Sequence, residues 1–237
     1  MTKRKRRRYK PATPPPPQAD GQGYVLVETK EGSYWRRKRG TVKKAELNKV
    51  FQKNAEATTL ASPAARRVQE KLEEFLKGLS TGRFIANVSA KLKQSYTKTG
   101  ALNFSLLDGY ELQPDHPLTE LLRGNYSATE KNEEVMIRIR IDKNTVRRHN
   151  KLVTDYYFEA ILLYGDPARK NGLRVESETS PLYPAICESE TECILRIVLP
   201  AKKTPWMVLL KLSCLEGNEP AGHPRHYGMR VVKVGGG

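Results

Sequence analysis

The chain is short of everything that usually marks an enzyme or a secreted scaffold. It has three cysteines, Cys187, Cys193 and Cys214. An odd number without regular spacing argues against a disulfide framework and suits a reducing compartment. No apolar run approaches the roughly 18 residues that a membrane-spanning helix needs. The first residues are positive, as in a secretory signal, but Tyr9 onward reads Y-K-P-A-T-P-P-P-P-Q and lacks an apolar core. The expected compartment is the cytoplasm. In a eukaryote, Lys3 to Arg8 would also serve as a nuclear address.

Catalytic and cofactor motifs are missing as well. There is no Walker loop, no G-x-G-x-x-G, no serine elbow, no H-E-x-x-H and no paired C-x-x-C. Nothing supplies a nucleophile with its base. His223 and His226 have the spacing of a metal pair, and Cys214 lies upstream, but Pro224 between them favours a loop over a ligand-bearing helix. His116 and His149 stand alone in polar stretches and read as solvated side chains. Asp142, Asp155 and Asp166 flank predicted strands, where turn chemistry explains them. The sequence therefore predicts no enzyme, no cofactor and no metal.

Acid is scarce at one end only. Residues 1–100 carry 24 Lys+Arg against 8 Asp+Glu, whereas residues 101–237 carry 18 of each. The whole net charge of +16 thus belongs to the first hundred residues. A polycation joined to a neutral body implies an arm that meets a polyanion. Nucleic acid, DNA or RNA, is the first partner to consider, and an anionic surface the second. The apolar fraction of 38% is low, but the deficit sits in the first 40 residues, which leaves a core available downstream.

Four segments follow in order. Residues 1–22 read as a disordered tail, in which Lys3, Arg4, Lys5, Arg6, Arg7, Arg8 and Lys10 repel one another and Pro14 to Pro17 favour an extended chain. Residues 23–42 read as a basic hairpin: Tyr24 to Thr29, a turn at Lys30-Glu31-Gly32-Ser33, and a return over Tyr34 to Arg39. Residues 43–100 are helical by period. Leu47, Val50 and Phe51 share a face in a first helix. Ser62-Pro63 reads as the start of a second, with Val68, Leu72, Phe75, Leu76 and Leu79 as its stripe and Gly78 as its stop. A third begins near Thr81-Gly82 and carries Phe84, Ile85, Val88, Leu92 and Tyr96, with Lys91, Lys93 and Lys98 late in it. The short link predicts an antiparallel pair.

Residues 101–237 switch to period two. Strands are expected at Leu106–Leu112, Val135–Ile141, Tyr156–Tyr164, Leu173–Glu178, Cys193–Leu199, Trp206–Cys214 and Met229–Val234. Arg138, Arg140, Arg196 and Lys211 should face water. The fold class is therefore α+β: a basic arm and hairpin, an antiparallel helical segment, and a C-terminal antiparallel β-sandwich of immunoglobulin-like type. Cys193 and Cys214 should lie near one end of the sandwich, both facing in. A disulfide between them is geometrically conceivable, though buried thiols suit a reducing compartment better.

Tyr34-Trp35-Arg36-Arg37-Lys38-Arg39-Gly40, the stretch Asn48 to Leu76, and Leu107-Asp108-Gly109-Tyr110-Glu111-Leu112 together carry a likeness. In this order of features the chain resembles an uncharacterised family of small basic proteins from Bacteroidota. The resemblance spans most of residues 24–237. It implies a bacterial, soluble, non-enzymatic protein, and it assigns no residue a role.

The constellation with chemical content is Tyr34, Trp35, Arg36, Arg37, Lys38 and Arg39, continued by Lys43 and Lys44. Six cations within nine residues can neutralise several phosphates, and two aromatics beside them offer faces to unpaired bases. Alternatively, Trp35 packs the hairpin onto the helices and the cations stay wet. The function expected is sequence-tolerant nucleic-acid binding through Lys3 to Lys10 and Arg36 to Lys44. The competing expectation is an adaptor whose sandwich binds a protein while the arm grips an acidic surface. The sequence does not set the oligomeric state.

Overall fold

The computed structural model describes residues 24–29, 32–37, 48–147, 152–187, 189–201 and 203–236. The chain divides into two units, residues 1–50 and residues 51–237. In the first, β1 (Tyr24–Thr29) and β2 (Gly32–Arg37) pair antiparallel, with Thr29 opposite Gly32 and Tyr24 opposite Arg37. The return strand begins two residues before the sequence pattern placed it, because Gly32 and Ser33 already pair with Thr29 and Glu28.

All but the first two residues of α1 (Lys49–Leu72) belong to the second unit, and the helix runs through the position where a new one was expected to start. Pro63 sits inside it, so Ser62 is not a cap. The predicted break fails because the buried face continues across it. Ala57, Ala61, Ala64, Ala65, Val68 and Leu72 recur at helical spacing and are all buried. Burial of that stripe outweighs the hydrogen bond that proline cannot donate. The expected contributors Val50 and Phe51 are instead exposed, at 66% and 60%.

Past α1 the chain makes a turn in which Gly78 has φ +84° and lies against the Tyr227 ring. A Cβ there would come within 2.7 Å of the ring. α2 (Phe84–Thr99) then returns, burying Phe84, Val88 and Leu92, and ends where the Gly100 N–H bonds the Tyr96 carbonyl. Tyr96 Oη donates to Glu56 at 2.8 Å, and Ser62 Oγ lies 3.3 Å from Ser89 Oγ. This order of contacts makes α1 and α2 the antiparallel pair that the short link predicts.

The segment 106–112 was expected as a strand. It opens instead as a 3-10 turn over Ser105–Leu107. Only Gly109 to Leu112 lie strand-like, against the last strand of the fold, through Gly109 N to Val231 O, Val231 N to Tyr110 O and Leu112 N to Met229 O. A short α3 (Leu118–Leu121) follows. The remaining strands are β3 (Tyr126–Lys131), β4 (Glu134–Ile141), β5 (Asp155–Gly165), β6 (Leu173–Thr179), β7 (Tyr183–Pro184), β8 (Thr191–Val198), β9 (Trp206–Glu216), β10 (Glu219–Pro220) and β11 (Tyr227–Gly235). Every pairing among them is antiparallel. One sheet has β11-β9-β5-β6 as its body, with β10 and β7 as short additions, and the other has the order β3-β4-β8.

Three layers result. Ile137, Ile139 and Leu195 of the smaller sheet meet Phe158, Leu162, Val208 and Leu210 of the larger in one apolar cluster. On the other side of the larger sheet, Ile161, Leu163, Met207 and Leu209 pack with Val68, Leu72, Val88 and Leu92 of the helices. The helical segment and the strand-rich half thus share one folded unit. Arg138, Arg140 and Arg196 do face water, as the alternation predicts.

Lys211 does not. β9 is central and covered on both faces, so its nine residues Trp206 to Cys214 are all buried. Lys211 lies on the helix-facing side, opposite Glu159, with Nζ 3.1 Å from Oε2. The edges of β6 and β8 come together where the Glu178 carboxylate accepts the backbone N–H of Arg196. A charged side chain there occupies a donor that an unpaired edge would expose. Cys187, Cys193 and Cys214 are buried thiols. No helix among the described residues is long and apolar enough to cross a membrane.

Candidate nucleic-acid interface

The hairpin register decides which side chains share a face. Val25 pairs with Arg36, Leu26 with Trp35 and Val27 with Tyr34. Directly paired residues project to the same side, and neighbours along a strand alternate. Tyr34 and Arg36 therefore share one face with Val25 and Val27, while Trp35 shares the other with Leu26, Glu28 and Ser33. Tyr34 is 45% exposed and Trp35 39%. Each aromatic lies across the ribbon from an aliphatic residue, Tyr34 from Val27 and Trp35 from Leu26. Thr29 Oγ1 donates to the Gly32 carbonyl at 2.8 Å and ties the closing ends of the strands.

Of the residues expected to bind, Tyr34, Trp35 and Arg36 are thus placed on one two-stranded ribbon, and the Arg37 backbone continues it. Lys3, Arg4, Lys5, Arg6, Arg7, Arg8, Lys10, Lys38, Arg39, Lys43 and Lys44 lie outside the described residues. A ribbon with an aromatic on each face and arginine beside it can do two things. It can stack a base on either side, and it can meet phosphates along its length.

The larger unit holds a second set of cations. Arg83, Lys91, Lys93 and Lys98 precede or belong to α2, which contains no acidic residue. Lys91 is engaged structurally: its Nζ donates to the Leu106 carbonyl at 2.9 Å and sits over the Tyr110 ring. Arg83 and Lys98 are exposed. Sequence reasoning treated the late lysines as dipole partners. The signal it passed over was the absence of any Asp or Glu from the whole helix.

His223 and His226 take hydrogen-bonding roles, and the His116 ring, expected to stand alone, lies with its centroid 6.3 Å from that of His223. His223 Nδ1 accepts from the Arg225 N–H at 3.2 Å. His226 is buried, with Nε2 3.4 Å from Arg225 Nε and 3.8 Å from Glu216 Oε1. Among the described residues no group of three or more His, Cys, Asp or Glu is arranged to hold a metal ion.

No protein-family model matches this chain, and no curated protein matches it. Among solved structures, the sporulation control protein Spo0M from Bacillus subtilis is similar over 40% of this chain and 43% of its own, at 12% identity and a TM-score of 0.22. A likeness of that size carries no argument about fold or function.

Proposed function

We propose that this chain is a non-enzymatic, largely sequence-tolerant nucleic-acid-binding protein of the cytoplasm. The observation that carries the reading is the exposure of Trp35 and Tyr34 on a ribbon with Arg36, within a unit whose charge is lopsided. Residues 1–50 hold 15 Lys+Arg and 4 Asp+Glu, and residues 51–237 hold 27 and 22. Lys3 to Lys10 and Arg36 to Lys44 contact phosphates, while Tyr34 and Trp35 stack on bases. Arginine makes up four of the seven cations in the first cluster and three of the six in the second, and its planar fork matches phosphate geometry better than an ammonium does. The sandwich acts as the scaffold. We read it as immunoglobulin-like, since β8 returns over a long connection to pair with β4.

The test is fluorescence-anisotropy binding of the full chain to short single- and double-stranded DNA and RNA. If bases stack on the ribbon, single strands bind better than duplex, and Trp35→Ala reduces that preference while leaving duplex binding nearly unchanged. Equal affinity of wild type and Trp35→Ala for single strands sinks the stacking role. Absence of binding to all four probes at near-physiological salt sinks the function, and the search then moves to a protein partner of the sandwich.

A further inference from the structure

One end of the sandwich carries a cleft of about 640 Å³ between the β3–β4 turn, the β8–β9 loop and the end of β11. Its volume lies within the range of small-molecule sites, roughly 300–1,000 Å³. Its walls come from distant parts of the chain. Lys131 ends β3, Lys203 belongs to the loop, and Lys233 lies on β11, yet all three line the same space. None of them forms an ion pair among the described residues. Leu199, Pro200 and Trp206 supply apolar wall, and Glu130 and Glu133 share the rim.

Backbone strain collects at the same place. Three non-glycine residues of the described chain have positive φ: Asn132 at 54°, Glu133 at 61° and Lys203 at 81°. All three line this cleft. A two-residue hairpin turn with positive φ at both positions favours Asn-Gly, and here glutamate occupies the glycine position. Lysine in the left-handed region of a loop is likewise a choice against the backbone. Leu199 N donates to the Glu133 carbonyl at 2.7 Å and locks the strained turn to the strained loop.

Gly236 completes the wall, and Gly235 precedes it on β11. Gly235 lies flat on the Trp206 indole, where a Cβ would come within 2.4 Å of the ring. Lys203 in particular holds a costly conformation, as residues do where side-chain identity matters more than backbone comfort, and such positions gather at ligand sites.

We propose that this cleft binds a small organic anion with an apolar or aromatic body. The anionic group meets Lys131, Lys203 and Lys233, and the body lies against Leu199, Pro200 and Trp206. The three ammonium groups outnumber the two carboxylates, and unpaired ammoniums around a partly apolar space favour a phosphate ester or carboxylate over a neutral or cationic ligand. This site is independent of the nucleic-acid reading and lies wholly within the larger unit.

The test uses full-length Trp35→Phe protein, so that Trp206 is the remaining indole. Phenyl phosphate is titrated while its fluorescence and the Tm are followed. Inorganic phosphate serves as the anion alone and benzyl alcohol as the body alone. The expected result is saturable binding of phenyl phosphate at least about tenfold tighter than either control. Lys203→Gly, which relieves the positive φ, should weaken that binding about tenfold without lowering the Tm. Glu133→Gly should raise the Tm and keep binding. Failure of phenyl phosphate to saturate at millimolar concentration overturns the proposal. So does undiminished binding in both Lys203→Gly and Lys233→Met.

Discussion

Lys211 and Glu159 are the charged pair on which the interior most depends. Side chains 6% and 14% exposed face each other on adjacent central strands, Nζ to Oε2 at 3.1 Å. Ser213, next along the same face, is buried with its Oγ unpartnered. Removing one member strands the other away from water, which costs about 3–5 kcal/mol. Lys211→Met is therefore expected to lower denaturant stability by that amount, and Lys211→Met with Glu159→Leu to recover most of it. A single substitution that costs nothing would mean that water already reaches the pair. Other interior groups set a limit at high pH. Burial pushes the Cys214 thiol up from 9.0 to about 12 and also raises Cys193, Tyr156 and Tyr183 above their ordinary values. These groups stay protonated in the fold and release protons on unfolding, so their contribution is intact below pH 9 and shrinks as pH climbs toward 12. Urea midpoints measured from pH 7 to 11.5 should be level to about pH 9 and then fall. A flat profile to the top of that range would contradict the burial.

At the scale of elements, α1 shows what pattern reading captures and what it loses. The stripe of Val68 and Leu72, continued past the helix by Phe75 and Leu76, was legible because large apolar residues recur at spacings of three and four. Its first half was not, since Ala57, Ala61, Ala64 and Ala65 carry little hydrophobic signal, and their smallness is what lets helices approach closely. Pro63 then looked like a start. It is exposed within a continuous helix, where a proline costs about 3 kcal/mol relative to alanine. Pro63→Ala is expected to stabilise the protein by about 1–3 kcal/mol in denaturant titration. A neutral or destabilising result would show that a local bend is needed for packing. Among strands, Val135–Ile141 was readable from clean alternation. β3, with the sequence YSATEK, was missed because this edge strand is mostly exposed and only Tyr126 and Ala128 turn inward, too few to announce an apolar face. β9 was found, but its two-sided burial was not, since one lysine in a hydrophobic run reads as a wet position until a partner such as Glu159 is known.

For the whole molecule, charge and fold are divided along the chain. The neutral strands and the helices build one three-layer body, and the excess charge is concentrated ahead of it. That division was plain in the sequence, as were Tyr34, Trp35 and Arg36 on a ribbon. The distribution of aromatics over two faces followed from period two, whereas their pairing with Leu26 and Val27 needed the register. The cleft beside Trp206 was not legible at all. Its lysines are about 30 to 100 residues apart, and strain at Glu133 and Lys203 leaves no mark in composition.

The central claim is that the basic segments neutralise phosphates, and its most direct measurement is the salt dependence of binding. The full chain and a variant with Arg36, Arg37, Lys38 and Arg39 all changed to Gln would be titrated against one duplex DNA across a salt series. Each neutralised phosphate contributes about −0.9 to the slope of log affinity against log salt. The account predicts a steep slope for the natural chain and a shallower one, by about 3 to 4, for the variant. Equal slopes for the two proteins, or binding indifferent to salt, would contradict it.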